Sequence, residues 1–259
     1  MSYRAKMLSP LALVCLSLCA SAAVAQQSRQ ADIPVAGDGK LSLGLKAWSS
    51  NWRQEGSVIV YPNNVTNPKG YVSNGNAEGS ALTLTPTLQY RYKDVAVSFS
   101  TLLKKDFDMP RTFVSSDNAS GTEFNSFGRK EYDLNFSYFL KPNISASIGY
   151  KNLTLNSGAY TVRGPIVGLS ASAPLMEGLS LYATVGLGAL NVKQDDRFDV
   201  KYTLTEVGVA YSLHEWLSHS AVTLSYREQK VKATDQGVWG RDRYQDTTRG
   251  VAVGFSKSF

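Results

Sequence analysis

The stretch Leu82-Thr83-Leu84-Thr85-Pro86-Thr87-Leu88-Gln89-Tyr90-Arg91-Tyr92 runs on through Lys93-Asp94 into Val95-Ala96-Val97-Ser98-Phe99. Leu82, Leu84, Leu88, Tyr90 and Tyr92 share one parity, and Thr83, Thr85, Thr87, Gln89 and Arg91 take the other. A period of two marks an extended strand whose faces meet different surroundings. Lys93-Asp94 is short enough to close a hairpin. Pairing Tyr92 with Val95 sets Tyr90 against Val97 and Leu88 against Phe99, so both strands put their apolar residues on one face. A slip of one residue would turn a whole strand over, so this agreement tests the register.

The same alternation returns along the chain, in Leu41/Leu43/Leu45, Tyr132/Leu134/Phe136/Tyr138, Leu179/Leu181/Ala183/Val185/Leu187 and Val251/Val253/Phe255. It gives ten strands, near 40–52, 82–92, 95–103, 130–140, 144–155, 160–173, 179–192, 199–213, 220–232 and 246–259. Eight or twelve are the alternatives. Several match the roughly 9–11 residues that a tilted strand needs to cross a bilayer. Lys93-Asp94, Lys141-Pro142-Asn143, Pro174 to Gly178 and His214 to His219 are tight connections, whereas 53–81 and 104–129 read as long loops. Segment 53–81 contains Ser57-Val58-Ile59-Val60-Tyr61 and Tyr71-Val72, which suits a β-ribbon standing beyond the barrel.

Three further hairpins keep their faces: Leu140 with Ile144, Ala173 with Leu179 (Ala171 then opposite Leu181) and Leu213 with Ser220. The opposite parity is polar. It sets Asp133 opposite Lys151 and Glu206 opposite Arg227, two expected ion pairs inside a narrow barrel. Lys46, Arg91 and Glu131 join them, and the near balance of sign favours a side-chain-filled lumen over a selective pore. Tyr90, Tyr92, Tyr138, Tyr211 and Phe259 gather at the strand ends beside the tight turns, and Tyr150, Tyr160 and Tyr226 toward the other ends. Two such belts suit membrane interfaces.

Composition alone hides this. The chain has 259 residues, 43% hydrophobic and 19% charged, with a mean hydropathy of −0.19. Its aromatic content excludes disorder. Beyond residue 25 no apolar run is long enough for a membrane helix. A formal charge of +6 is no argument for nucleic acid, and none is expected as a partner.

Residues 1–25 read as a secretory signal peptide. Arg4 and Lys6 precede the apolar run from Leu11 to Ala20, and Ala23-Val24-Ala25 offers the cleavage site. A lipoprotein cut before Cys19 is the rival reading, disfavoured by the bulk of Leu18. Both cysteines, Cys15 and Cys19, lie in this segment. Residues 26–39 are a periplasmic lead-in, and 40–259 the barrel.

The last strand, Gly250-Val251-Ala252-Val253-Gly254-Phe255-Ser256-Lys257-Ser258-Phe259, alternates and ends on phenylalanine. With the sorted loops and belts, it resembles the bacterial outer-membrane β-barrel proteins. The resemblance covers 40–259 and implies a transmembrane antiparallel up-and-down barrel with periplasmic turns. It implies Phe255 and Phe259 as the signal read by the barrel-assembly machinery, lipid and lipopolysaccharide as partners, and a monomer in the outer membrane.

Ten-stranded barrels include the omptin proteases, which use acidic residues and a histidine near the outer rim. Here both histidines, His214 and His219, fall in a tight connection, so the usual general base is missing where it would be needed. Asp195-Asp196-Arg197-Phe198-Asp199 is the densest acidic cluster, but without an organising glycine turn it reads as a solvated loop rather than a calcium site. Lys104-Lys105, Arg111, Arg129-Lys130, Lys193, Arg241 and Arg243 are placed near the outer ends, where phosphates would be met. No cofactor is expected. The reading is a non-enzymatic surface, structural or ligand-binding barrel, with a narrow channel and then a rim hydrolase as alternatives.

Overall fold

The computed structural model describes residues 39–60, 71–115, 120–155, 160–193, 195–213, 217–237 and 240–259. The leader over 1–25, the lead-in before Gly39, and His214 and Trp216 lie outside the described residues. Ten strands follow one another: β1 (Lys40–Val60), β2 (Tyr71–Tyr92), β3 (Val95–Ser115), β4 (Ser120–Lys141), β5 (Ile144–Leu155), β6 (Tyr160–Met176), β7 (Leu179–Val192), β8 (Asp195–Ser212), β9 (Ser220–Gly237) and β10 (Gly240–Ser258). Each pairs antiparallel with its chain neighbours, and β1 closes on β10. Closure leaves the spanning part without a free edge, the usual hazard of an open sheet.

At the turn end, Lys93 (φ 51°), Gly178 (φ 73°) and His219 (φ 58°) take the left-handed conformations that tight reversals use. The observed registers place Tyr90 opposite Val97, Tyr138 opposite Ala146 and Tyr211 opposite Val222. One expected register is wrong. Ala171 faces Ala183, not Leu181, because β6 runs on to Met176 with an irregularity after Pro174. The shift is by two residues, so no side chain changes face.

The tall end differs more. Segments 53–81 and 104–129 are mostly strand: β1 and β2 stay paired up to Val60 and Tyr71, and β3 and β4 up to Val114 and Ser120. The ribbon expected for 53–81 is present, and 104–129 forms a second one. The acidic stretch from Asp195 opens β8 rather than a loop. β5 stops at Leu155 and meets β4 only from Lys130 downward. The rim is therefore high along β9–β10–β1–β2–β3–β4 and low at β5–β6–β7.

Side-chain patterning explains the two levels. Near the turn end, outward residues are apolar and exposed, among them Leu84, Val97, Phe136, Ile148, Val207 and Leu224. Higher up the pattern inverts. On β5 the outward run ends at Tyr150, and Leu153 and Leu155 are buried inside. On β9 the outward Val222, Leu224 and Tyr226 give way to Glu228, Lys230 and Lys232, while Val231 turns inward. On β8, Val200 and Tyr202 are buried inside above the outward Val207 and Val209. A barrel that is apolar outside below one plane and apolar inside above it is built for two media.

A bulge in β3 between Leu102 and Lys105 lets this strand change parity, so that Leu102 and Phe107 are both buried. Tyr160 pairs with the inward Leu155 and shares the parity of buried Val162. It is a rim residue, not a member of the outward belt.

Candidate functional site

Among the described residues, strand geometry converges many polar side chains in the lumen. From the turn end upward it has four levels.

The lowest is a chamber of about 540 Å³, lined largely by hydroxyls such as Ser42, Thr87, Ser145, Ser170, Ser180 and Thr184. Ser170 and Thr184 hydrogen-bond at 3.0 Å. Arg91 lies at its mouth, with its guanidinium 3.7 Å from the Phe139 ring centroid.

Glu206 forms the ceiling. Its Oε1 accepts from Lys46 Nζ at 2.6 Å, Tyr182 Oη at 2.9 Å and Ser225 Oγ at 3.0 Å, and its Oε2 from Arg227 Nη1 at 3.3 Å. Sequence reasoning pairs Glu206 with Arg227 alone. The structure brings them together and adds Lys46 as the nearer cation.

The third level centres on Glu131. Lys151 Nζ donates to Glu131 Oε2 at 2.7 Å and to Asp133 Oδ1 at 2.9 Å. Arg129 Nε donates to Glu131 Oε1 at 2.7 Å, its Nη2 to Gln229 Oε1 at 2.7 Å, and its Nη1 to Thr248. Lys151, Arg129 and Glu131 are fully buried. Asp133 and Lys151 thus meet as their register requires, inside a larger network. Arg129 corrects an expectation: set among the outer phosphate-facing cations, it is instead sealed in the lumen. Its parity, shared with Glu131 and Asp133, carries that signal, and reading 104–129 as loop hides it. Buried charges persist only when paired and hydrogen-bonded, which this network achieves.

Above it sits an apolar plug. Trp52 and Phe107 meet edge to face with centroids 5.1 Å apart, and Met109, Leu153, Val200 and Val231 complete the layer with no exposed surface to speak of. The expectation of a polar lumen therefore holds only below this plug. Trp52 Nε1 donates to Asp246 Oδ1 at 3.3 Å. Asp246 stands above the outward apolar belt, and burial pushes its carboxyl up to about 6, while Arg129 and the hydrogen bonds from Trp52 and Gln54 pull the other way.

A closed barrel of ten antiparallel strands with an outward apolar belt is now in view. This is the fold of the bacterial outer-membrane barrels. The outer membrane protease OmpT from Escherichia coli superposes with a TM-score of 0.52 at 10% identity, over 85% of this chain and 97% of that one. The β domain of the Bordetella autotransporter BrkA gives 0.44 at 13% identity, over 86% and 100%. OprG from Pseudomonas aeruginosa gives 0.38 at 13% identity, over 86% and 96%. No protein-family model matches the chain, and no curated protein sequence matches it.

The remaining site residues lie apart from the lumen. Phe255 and Phe259 face outward at the turn end, where Phe259 N bonds Leu41 O at 2.8 Å and Lys257 Nζ sits 5.5 Å from the Phe259 ring centroid. His219 occupies the turn between β8 and β9. Among the described residues no cluster of three or more His, Cys, Asp or Glu is placed to hold a metal ion.

Proposed function

We propose that the chain is a monomeric integral outer-membrane barrel with a sealed lumen, acting as a non-enzymatic surface protein whose contacts are made at the tall end. One observation carries this: the Glu131–Lys151–Arg129 layer and the Trp52–Phe107–Met109 layer lie in series, each wholly buried. A conducting lumen needs a continuous wetted path, and two stacked layers without solvent interrupt it. The outward apolar belt supports residence in a bilayer, with the turn end periplasmic and the tall end outside. Phe255 and Phe259, outward on the last strand, suit recognition by the assembly machinery.

OmpT is a protease by its name, but a shared fold does not carry chemistry with it. His219 lies in the β8–β9 turn, at the opposite end from the rim carboxylates Asp235 and Asp242, which gives a rim hydrolase assisted by this histidine little support. A narrow channel is the second reading, favoured by the 540 Å³ chamber open at the turn end.

Planar-bilayer recording of the refolded barrel tests the proposal. The expected trace is silent. Stable unitary steps from the unaltered protein would favour the channel.

A further inference from the structure

The 540 Å³ chamber at the turn end is a blind cup. Ser145, Ser170, Thr184, Glu206 and Arg227 are successive register partners, so a row of wall hydroxyls runs straight into the ionic ceiling. Asn143, Gly178 and His219, all in or beside the tight turns, line the opposite end. Above the ceiling, Glu131, Lys151 and Arg129 are fully buried and close the lumen. Lys46 lines the cup, and 25% of its side chain is exposed. With the lumen closed above, that surface opens into the cup.

The ceiling carries more positive charge than it neutralises. Glu206 is the one carboxylate among the described residues that line the cup. Lys46 and Arg227 both draw on it, at 2.6 Å and 3.3 Å. With Tyr182 and Ser225 it accepts from four donors, close to the full capacity of a carboxylate. Acceptors run short beside it too. Arg227 Nε is buried without a hydrogen-bond partner, and so is Nε1 of Trp48, whose ring centroid lies 5.3 Å from the Arg227 guanidinium carbon. Buried donors left this way are rare in a folded interior. Lys46 Nζ has three N–H donors and gives one to Glu206. Arg91 adds a further cation at the mouth.

The wall hydroxyls both donate and accept, whereas Lys46 can only donate. The matching ligand has hydroxyls along its body and an oxyanion at its tip. The volume falls within the ~300–1,000 Å³ of small-molecule sites.

We propose that this cup binds a small polyhydroxylated oxyanion, a sugar acid or a sugar phosphate, with its charge on Lys46 and its hydroxyls along Ser145, Ser170 and Thr184. The site is separate from the contacts at the tall end. Only the periplasm as the source of the ligand rests on the orientation proposed above.

The test is calorimetric titration of the refolded barrel with glucuronate, glucose-6-phosphate, glucose and inorganic phosphate. One or both of the first two should bind about tenfold or more tightly than glucose and phosphate, the ratio expected of a charge-assisted contact. Which of them binds tells a carboxylate from a phosphate ligand. Lys46→Gln should remove the advantage, and Glu206 keeps Arg227 in that variant. Should it fail to fold, Ser172→Phe fills the cup without touching the ceiling and should abolish binding. Glucose binding as well as the acids, or phosphate matching the sugar phosphate, would overturn the ligand. Absence of binding by every probe, or affinity that survives Lys46→Gln or Ser172→Phe, would overturn the site. Bilayer conductance of the same preparation keeps the two readings apart. A silent barrel that binds nothing loses the cup and not the sealed lumen, and a conducting barrel that binds loses the seal and not the cup.

Discussion

Glu131 Oε2 and Lys151 Nζ lie 2.7 Å apart at the level where the outward pattern inverts, and neither side chain reaches solvent. Removing a charge from such a buried network leaves a partner uncompensated in a low-dielectric interior, which costs about 3–5 kcal/mol. Lys151→Met should therefore leave Asp133 without its cation and Glu131 with Arg129 alone, and should unfold markedly earlier in urea. Lys151→Met combined with Asp133→Leu, which leaves Glu131 its Arg129 partner, should recover part of the loss. A double variant as damaged as the sum of the two single ones would show that the pair is not coupled.

The plug makes a prediction of its own. Trp52 and Phe107 each fill the lumen above the ionic layer, and truncating such a buried aromatic typically costs ~3–5 kcal/mol. Trp52→Ala should lower stability by that order and stay silent in bilayers, because the Glu131 layer still seals the path. Adding Arg129→Ala should produce measurable conductance. Steps from Trp52→Ala alone would mean that the plug is the sole barrier.

Those two layers differ in how far the sequence discloses them. Asp133 and Lys151 sit in strands with clean alternation, so their meeting follows from register alone. Arg129 shares their parity but precedes the last outward tyrosine of β4, where apolar alternation stops. In water the outer face of a strand is polar, and its inner face here carries glycines such as Gly75, Gly79 and Gly121. Segments 71–81 and 120–129 therefore lose the period that marks a strand, and they read as loops. The plug is hidden for a related reason: Leu153, Leu155, Val200 and Val231 are apolar on the parity that is polar lower down. The spanning fold depends on a repeated pattern and is legible. The tall end depends on an inversion of that pattern and becomes legible only in three dimensions.

Asp246 gives a pH dependence. Its folded-state carboxyl is pushed up to about 6 from an ordinary 3.8, so the folded barrel holds this proton more tightly than the unfolded chain. The stability it contributes is fully present below pH ~4 and is lost as pH rises through about 6. Asp246→Asn, which stays neutral, should unfold at higher urea than the unaltered protein at pH 7.5, with the difference fading by pH 4. A difference that widens in acid would reverse the sign and refute the burial argument.

The inversion plane can be located directly. Cys15 and Cys19 both precede the barrel, so a cysteine introduced into a chain lacking residues 1–25 is its only thiol. Outward Lys230→Cys and Glu78→Cys lie above the plane, and Leu224→Cys and Leu84→Cys below it. In lipid vesicles a water-soluble maleimide should label the first pair at least tenfold faster. Unfolding in urea should erase the difference. Equal rates in vesicles would mean that the outward belt does not face lipid.

The upper half of β4 tests the asymmetric rim. β4 pairs with β3 up to Ser120, but with β5 only from Lys130 downward, and no other described strand packs against it to any extent. Its outer face also exposes Phe124 at 84%. An edge of this kind presents alternate amide and carbonyl groups to water. In hydrogen exchange, roughly every second amide between Thr122 and Phe127 should exchange without protection, while the others are held by β3. Amides 228–234 of β9, paired on both sides with β8 and β10, should be protected throughout. Uniform slow exchange across 122–127 would require a partner on that edge and would contradict a rim that falls away at β5.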